Sequence, residues 1–193
     1  MNALSEAELR VLDWIALHLH TGWLDFLFPR ITQLGNAGLI WILVALFLLL
    51  CGRRERPYGI QVILALCFSV ILCNLILKNM VDRVRPFMLN PMVELLIPAP
   101  SDPSFPSGHS SASFAAATVL LLNRHRGRYA ALSLAVLIAF SRLYLYVHFP
   151  SDVLVGVMTG ILSGFLAVLV WNKLLKPRIP WDSPENRDVN CTT

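Results

Sequence analysis

The sequence predicts an all-α integral membrane protein, a helical bundle of about five to six transmembrane helices, and three observations carry that prediction. Apolar residues make up 56% of the 193-residue chain and charged residues only 15%, with a mean hydropathy of +0.62, outside the composition of soluble globular proteins. The apolar residues are gathered in runs that approach the length of a bilayer crossing. Lys and Arg, whose excess gives a formal net charge of +4, sit in short clusters at the ends of those runs instead of forming a face, which reads as a topology signal and leaves no nucleic-acid partner.

The length calls for one membrane-embedded domain over 1–193, divided into N-terminal helices (1–36), a helical core (37–173) and a polar cytoplasmic tail (174–193). Over 5–20, Leu9, Leu12, Ile15, Ala16 and Leu19 recur at helical spacing with Glu6, Arg10 and Asp13 among them, the pattern of an interfacial helix. The stretch 23–34 is amphipathic, interrupted by Pro29 and closed by Gly35-Asn36, and fits an interfacial or re-entrant helix. Apolar runs follow at 37–51, 58–77, 110–123, 129–147 and 153–173. Two of these fall short of the roughly 20 residues a full crossing needs; the run from Ser110 is one, and its N-terminal end should lie sunk below the membrane surface. Between the second and third runs, "NPMVELLIPAPSDPSFP" reads as a Pro-rich surface loop with one apolar patch positioned to touch lipid tails.

Three basic clusters, Arg53/Arg54/Arg56, Arg124/Arg126/Arg128 and Lys173/Lys176/Arg178, fall on one side of that arrangement. The positive-inside rule makes that side cytoplasmic, and residues 78–109 and the turn holding His148 then lie on the opposite, outward face of the membrane. The acidic N-terminus does not read as a cleavable signal. Cys51, Cys67 and Cys73 lie in apolar runs and Cys191 in the tail, a spacing that fits neither a disulfide framework nor a zinc site. Asn190-Cys191-Thr192 matches a glycosylation triplet but falls on the cytoplasmic side.

Ionisable residues at the outward ends of the runs are costly in hydrocarbon and so are functional candidates. Lys78 and Arg85 are seven residues apart, about two turns, and share a side if the helix continues; the alternative is that Lys78, Arg83 and Arg85 snorkel to headgroups. In Pro106-Ser107-Gly108-His109, Ser107 can cap a helix, Gly108 admits close backbone approach, and the first N–H groups of the helix point at a spot that suits an anion. His109 beside it has a near-neutral intrinsic pKa suited to donating a proton; the bland alternative is a cap followed by a chance histidine. In "SRLYLYVHFPSD", Arg142 within an apolar run needs an anionic partner. Asp152 is near enough to hydrogen-bond one imidazole nitrogen of His148 and leave the other free as a nucleophile, or else is only a helix cap. The three clusters fall on one membrane face and together form a phosphoryl-transfer set. Lys and Arg would meet the charge of the transferring group, so no metal or other cofactor is called for.

These residues resemble the type 2 phosphatidic acid phosphatase (PAP2) superfamily, whose motifs Lys-x6-Arg-Pro, Pro-Ser-Gly-His and Ser-Arg-x5-His-x3-Asp stand here intact at 78–86, 106–109 and 141–152. The resemblance covers about residues 37–173. It implies an all-helical membrane fold in which His148 attacks phosphorus to form a phosphohistidine, Asp152 assists it, His109 protonates the leaving group, and Lys78, Arg85, Ser107, Gly108 and Arg142 bind phosphate. It also implies a lipid phosphate or diphosphate as substrate, with undecaprenyl diphosphate favoured and phosphatidylglycerol phosphate or phosphatidic acid as alternatives. A vanadium-dependent haloperoxidase and a non-catalytic lipid-phosphate binder are more distant readings, because motifs alone do not name the chemistry.

Overall fold

A computed structural model describes residues 3–175, and every described element is helical. The tail from residue 176 on, with Lys176, Arg178, Cys191 and the Asn190 triplet, lies outside the described residues. Helix α1 (Ala3–Leu19) and α2 (Gly22–Leu34) lead through a 3-10 turn (Asn36–Gly38) into α3 (Leu39–Leu50). Helix α4 (Arg56–Ser69) continues through a π-helical stretch (Val70–Leu77) into α5 (Lys78–Met80); α6 (Pro86–Leu89) is a single turn. Then follow α7 (Gly108–Leu122), α8 (Arg128–Tyr144) and α9 (Pro150–Val170), the last extended by a π-turn (Trp171–Leu175).

Helix α7 is the hub, and its small side chains explain why. Ser111, Ala115, Ala116, Ala117 and Val119 are all buried, which lets neighbouring backbones approach closely. Against it runs the Gly156/Gly160/Gly164 stripe of α9, spaced one turn apart. A Cβ at Gly160 would lie 2.4 Å from the Ser111 carbonyl oxygen, and one at Gly156 would lie 2.5 Å from that of Ser107. Gly156 meets Ser107, Gly160 meets Ser111 and Gly164 meets Thr118, so α7 and α9 run in the same direction. Helix α4 runs against them, because Gln61 hydrogen-bonds Asn123 near one end and Ser69 hydrogen-bonds Ser111 further along.

The Arg53 loop and the 123–128 turn therefore meet at one end, where His125 pairs with Glu55 at 2.9 Å, and the motif residues gather at the other. Large apolar side chains on the outer helix faces, among them Phe47, Leu50, Leu154, Met158 and Phe165, are exposed as a lipid-facing surface would be.

Among the described residues, two helices, Arg56–Met80 and Pro150–Leu175, are long and apolar enough to cross a membrane. The pair Gly22–Leu34 and Asn36–Leu50, bent by 50°, adds a third if it counts as one span. By length and composition this is fewer than the five to six expected. At 15 residues α7 is short, because its first turn is given over to the polar motif, and α8 ends at Tyr144 within 17 residues. The 23–34 stretch, expected to be interrupted, is one helix with Pro29 inside it. Within the 90–106 loop, Val93, Leu95 and Ile97 turn inward to pack against the clusters around Tyr144 and Phe149, while Met92 remains exposed.

Candidate active site

Lys78 and Arg85 come together, though not along one helix. The helix ends at Met80, Val81 is extended, and Arg85 sits in extended backbone just before Pro86. The two cations converge on Asp102 of the Pro-rich loop: Lys78 Nζ donates to its Oδ2, and Arg85 Nη2 donates to its Oδ1 at 2.8 Å. Arg85 Nε also donates to the Asp102 carbonyl at 2.8 Å, and Nη1 to the Val147 carbonyl at 2.7 Å. Burial alone would raise the Asp102 pKa, but the Lys78 and Arg85 charges hold it down at about 2.

Ser107 caps α7 as expected, its hydroxyl accepting from the Ser110 N–H at 3.4 Å, while its own N–H donates to the Asp152 carbonyl at 3.0 Å. His109, on the first turn, has Nε2 at 3.0 Å from Asn36 Oδ1. Gly35 lies against the same imidazole, and a Cβ there would come within 2.7 Å of it.

Arg142 differs from expectation. It is 3% exposed, yet its hydrogen-bond partner is the Thr32 hydroxyl at 2.5 Å, not an anion, and its Nε is buried without a partner. A buried guanidinium left short of acceptors marks a place where an anion would be favoured.

The turn from α8 into α9 is fixed by Tyr146, which adopts a left-handed φ of 58° and donates its hydroxyl hydrogen to Asp13 at 2.6 Å. Burial and then that carboxylate push the phenol up to about 12. His148 follows, with Nε2 at 3.3 Å from Arg85 Nη1 and Nδ1 facing Asp152 Oδ2 at 3.7 Å. That second distance is longer than a hydrogen bond, and Nδ1 has no other partner, so the expected Asp152–imidazole hydrogen bond is an opposed but unclosed pair. The carboxylate is instead saturated from other directions: Ser104 Oγ donates at 2.5 Å, the Phe149 N–H at 3.0 Å and Arg83 Nη1 at 2.6 Å. Burial pushes the His148 imidazole down to about 4, and the Arg142 and Arg85 charges add to this against the pull of Asp152.

One cavity of about 1190 Å³ joins these groups. Lys78, Arg85, Gly108, His109, Arg142 and His148 line it, whereas Ser107 and Asp152 stand behind the wall. From the cationic end it continues between α3 and α4 along Ile42, Ile63, Val70 and Ile71, all partly open to the outside of the bundle. The site also uses residues that no sequence motif singles out: Glu8, Thr32, Asn36, Asp102 and Ser104. Arg83, a candidate for snorkelling, points inward instead. Asn36 had a signal in the Gly-Asn break and Asp102 in the polar centre of the loop; Glu8 had none beyond being an acid on an amphipathic helix.

Fold and cavity define an all-helical, lipid-facing protein with a cationic, histidine-bearing pocket at one end of its bundle. The chain belongs to the PAP2 superfamily, whose family model matches residues 58–176. It is 34% identical over 132 residues to an undecaprenyl-diphosphatase of Sulfolobus acidocaldarius, covering 68% of this chain and 63% of that relative. It is 31% identical over 177 residues to phosphatidylglycerophosphatase B of Bacillus subtilis, covering 86% of this chain and 83% of the relative. The crystal structure of Aquifex aeolicus LpxE superposes with a TM-score of 0.72 at 31% identity, covering 83% of this chain and 94% of that one.

Proposed function

We propose that this protein is an integral membrane phosphatase that hydrolyses a lipid phosphate or diphosphate through a phosphohistidine intermediate. The observation that carries the reading is one continuous cavity that links three cations and two histidines to an apolar slot open toward lipid. A phosphoryl group at the cationic end would leave its hydrocarbon chain along Ile42, Ile63 and Val70 without drawing it through water.

In this mechanism Arg85, Lys78 and Arg142 hold the phosphoryl oxygens together with the first N–H groups of α7, including that of Gly108. Ser107 fixes that helix start from behind. His148 Nε2 faces the cradle and is the nitrogen that attacks phosphorus. Burial, with the Arg142 and Arg85 charges, keeps the ring neutral near neutral pH, and the donor Arg85 Nη1 facing Nε2 leaves that nitrogen as the one with the free lone pair. The N–P bond forms as the bond to the leaving oxygen breaks, and His109 gives that oxygen its proton. Asp152 faces Nδ1 and supports the positive charge that develops on the ring. Water then cleaves the N–P bond, giving its proton to His109, and phosphate leaves.

Undecaprenyl diphosphate is the favoured substrate, on the strength of the Sulfolobus relative. Phosphatidylglycerol phosphate is the second reading, favoured by the longer match to the Bacillus phosphatidylglycerophosphatase. The site faces the outside of the cytoplasmic membrane in this proposal, because the Arg53 and Arg126 loops gather at the opposite end. The test is phosphate release by the purified protein from a panel of lipid phosphates with EDTA present. Release from undecaprenyl diphosphate and none from phosphatidylglycerol phosphate is expected; the reverse result replaces the substrate, and release from no lipid phosphate rejects the function.

A further inference from the structure

Beyond the motifs, an ion-pair chain runs from the N-terminal helix into the site. Glu8 is 6% exposed, and both its carboxylate oxygens are used: Oε1 accepts from the Ser151 N–H at 2.8 Å and Oε2 from Arg83 Nη2 at 2.6 Å. The other arm of the same guanidinium donates to Asp152 Oδ1 at 2.6 Å and to Ser151 Oγ at 2.7 Å, and its Cζ lies 3.9 Å from the Phe149 ring centroid. Ser104, which holds the second Asp152 oxygen, is tied to the same segment by its N–H to the Arg83 carbonyl at 2.9 Å.

A helix that needed only to be anchored would not require this. Helix α1 already buries Leu12 and Ile15, and a buried carboxylate is weak evidence for stability because its desolvation offsets most of what its pairing returns. What the chain achieves is orientation and charge. Asp152 meets three donors from three directions, so its Oδ2 has one position, opposite His148 Nδ1. Two carboxylates share one guanidinium, so the cluster behind the imidazole keeps one net negative charge. Without Glu8 the Arg83–Asp152 pair would be neutral. Attack by Nε2 makes the imidazole positive, and a net negative charge behind it favours that change.

We propose that Glu8 and Arg83 are positioning residues for the hydrolytic reaction, clamping Asp152 against His148 and supplying the charge that the neutral Arg83–Asp152 pair would lack. This rests on the phosphatase reading above. Arg85, Arg142 and His109 also face His148, and none of the three is a hydrogen-bond partner of Glu8, which pairs with Arg83 and Ser151.

The test uses Glu8→Gln, which keeps the shape and the acceptor for Ser151 but removes the charge, beside Arg83→Lys and a control, Leu12→Ala, which loosens α1 from its apolar side. Glu8→Gln is expected to lower kcat about 10-fold with KM within twofold, and to move the acid limb of kcat/KM to lower pH, because a lost negative charge disfavours the protonated imidazole. Leu12→Ala is expected to lower thermal stability while leaving that limb where it is. A Glu8→Gln enzyme with the wild-type kcat and acid limb, or with only the stability loss of Leu12→Ala, overturns the inference. Titration of His148 by NMR of histidine-labelled full-length protein reads the same charge without turnover. A midpoint unchanged by Glu8→Gln sinks the clamp even if wild-type protein hydrolyses no lipid phosphate, a result that would sink the function separately.

Discussion

Around the cavity, α5, α7, α8 and the loops beside them supply charge, whereas the N-terminal stretch of residues 3–38 supplies what holds that charge in place. Lys78, Arg85, Arg142, His109 and His148 all come from the motifs. Thr32 meets Arg142, Asn36 meets His109, Glu8 meets Arg83, and Asp13 meets the tyrosine that shapes the His148 turn. The two regions also differ in packing. Helices α7 and α9 touch through glycine and serine with backbones almost in contact, while α1 and α2 meet the bundle through side chains such as Leu12, Ile15 and Phe28. Chemistry set in a rigid pair of helices and steadied by a more loosely packed segment should respond differently to substitution on the two sides.

The largest effect belongs to the motif side. His148→Ala should reduce phosphate release by a factor on the order of 10³ or more, since the proposed covalent step has no substitute nucleophile. Thermal unfolding should stay near that of wild type; substantial turnover by the variant would remove the comparison's first half. Next comes Gly160→Val, which puts a side chain where even a Cβ would lie 2.4 Å from the Ser111 carbonyl oxygen and 3.0 Å from the Ala115 nitrogen. A loss of about 1–3 kcal/mol or more in detergent unfolding is expected, with activity falling in step. On the N-terminal side the effect should be smaller and should appear in kinetics. Thr32→Val strips Arg142 of its hydroxyl acceptor and should cost about 1–3 kcal/mol, read as a roughly 10-fold fall in kcat/KM with little change in melting temperature. If Thr32→Val instead lowers the melting temperature as much as Gly160→Val, the division between the two regions fails.

The same division explains what the sequence disclosed. Runs such as 58–77 and 153–173 announced α4 and α9 because lipid-facing helices must be apolar, and the motif side chains stood out because charge at the end of such a run is unexpected. The convergence of Lys78 and Arg85 was legible, but its route was not, since helical periodicity could not show the chain leaving the helix at Met80. Gly156, Gly160 and Gly164 repeat at every fourth position, a pattern that small-residue packing in membranes could have supplied. The contributions of Glu8 and Thr32 were out of reach. An acid or a threonine on an amphipathic helix looks the same whether it faces water or another helix's arginine, and only the tertiary fold distinguishes them.

Asp102 sharpens the comparison most finely, because it comes from neither region and covers the site that both of them form. Its carboxylate bridges Lys78 and Arg85, so a phosphoryl group that takes those cations must displace it. When the binding-competent form is only part of the population, apparent affinity falls by that fraction for every ligand alike. Asp102→Asn should therefore lower KM for the lipid phosphate and the inhibition constant of orthophosphate by the same factor, about 3- to 10-fold, with kcat little changed. Since Lys78 and Arg85 hold the carboxyl near 2, it stays ionised across the working range, and that factor should be flat between about pH 5 and 8. The stability effect carries the opposite sign: a folded pKa below the unfolded value of about 4 stabilises the fold above pH 4 and ceases to do so as pH falls toward 2. Wild type should thus unfold less readily than Asp102→Asn at neutral pH, and the gap should close on acidification. A variant that binds orthophosphate more weakly than wild type would mean that Asp102 organises the two cations instead of competing for them.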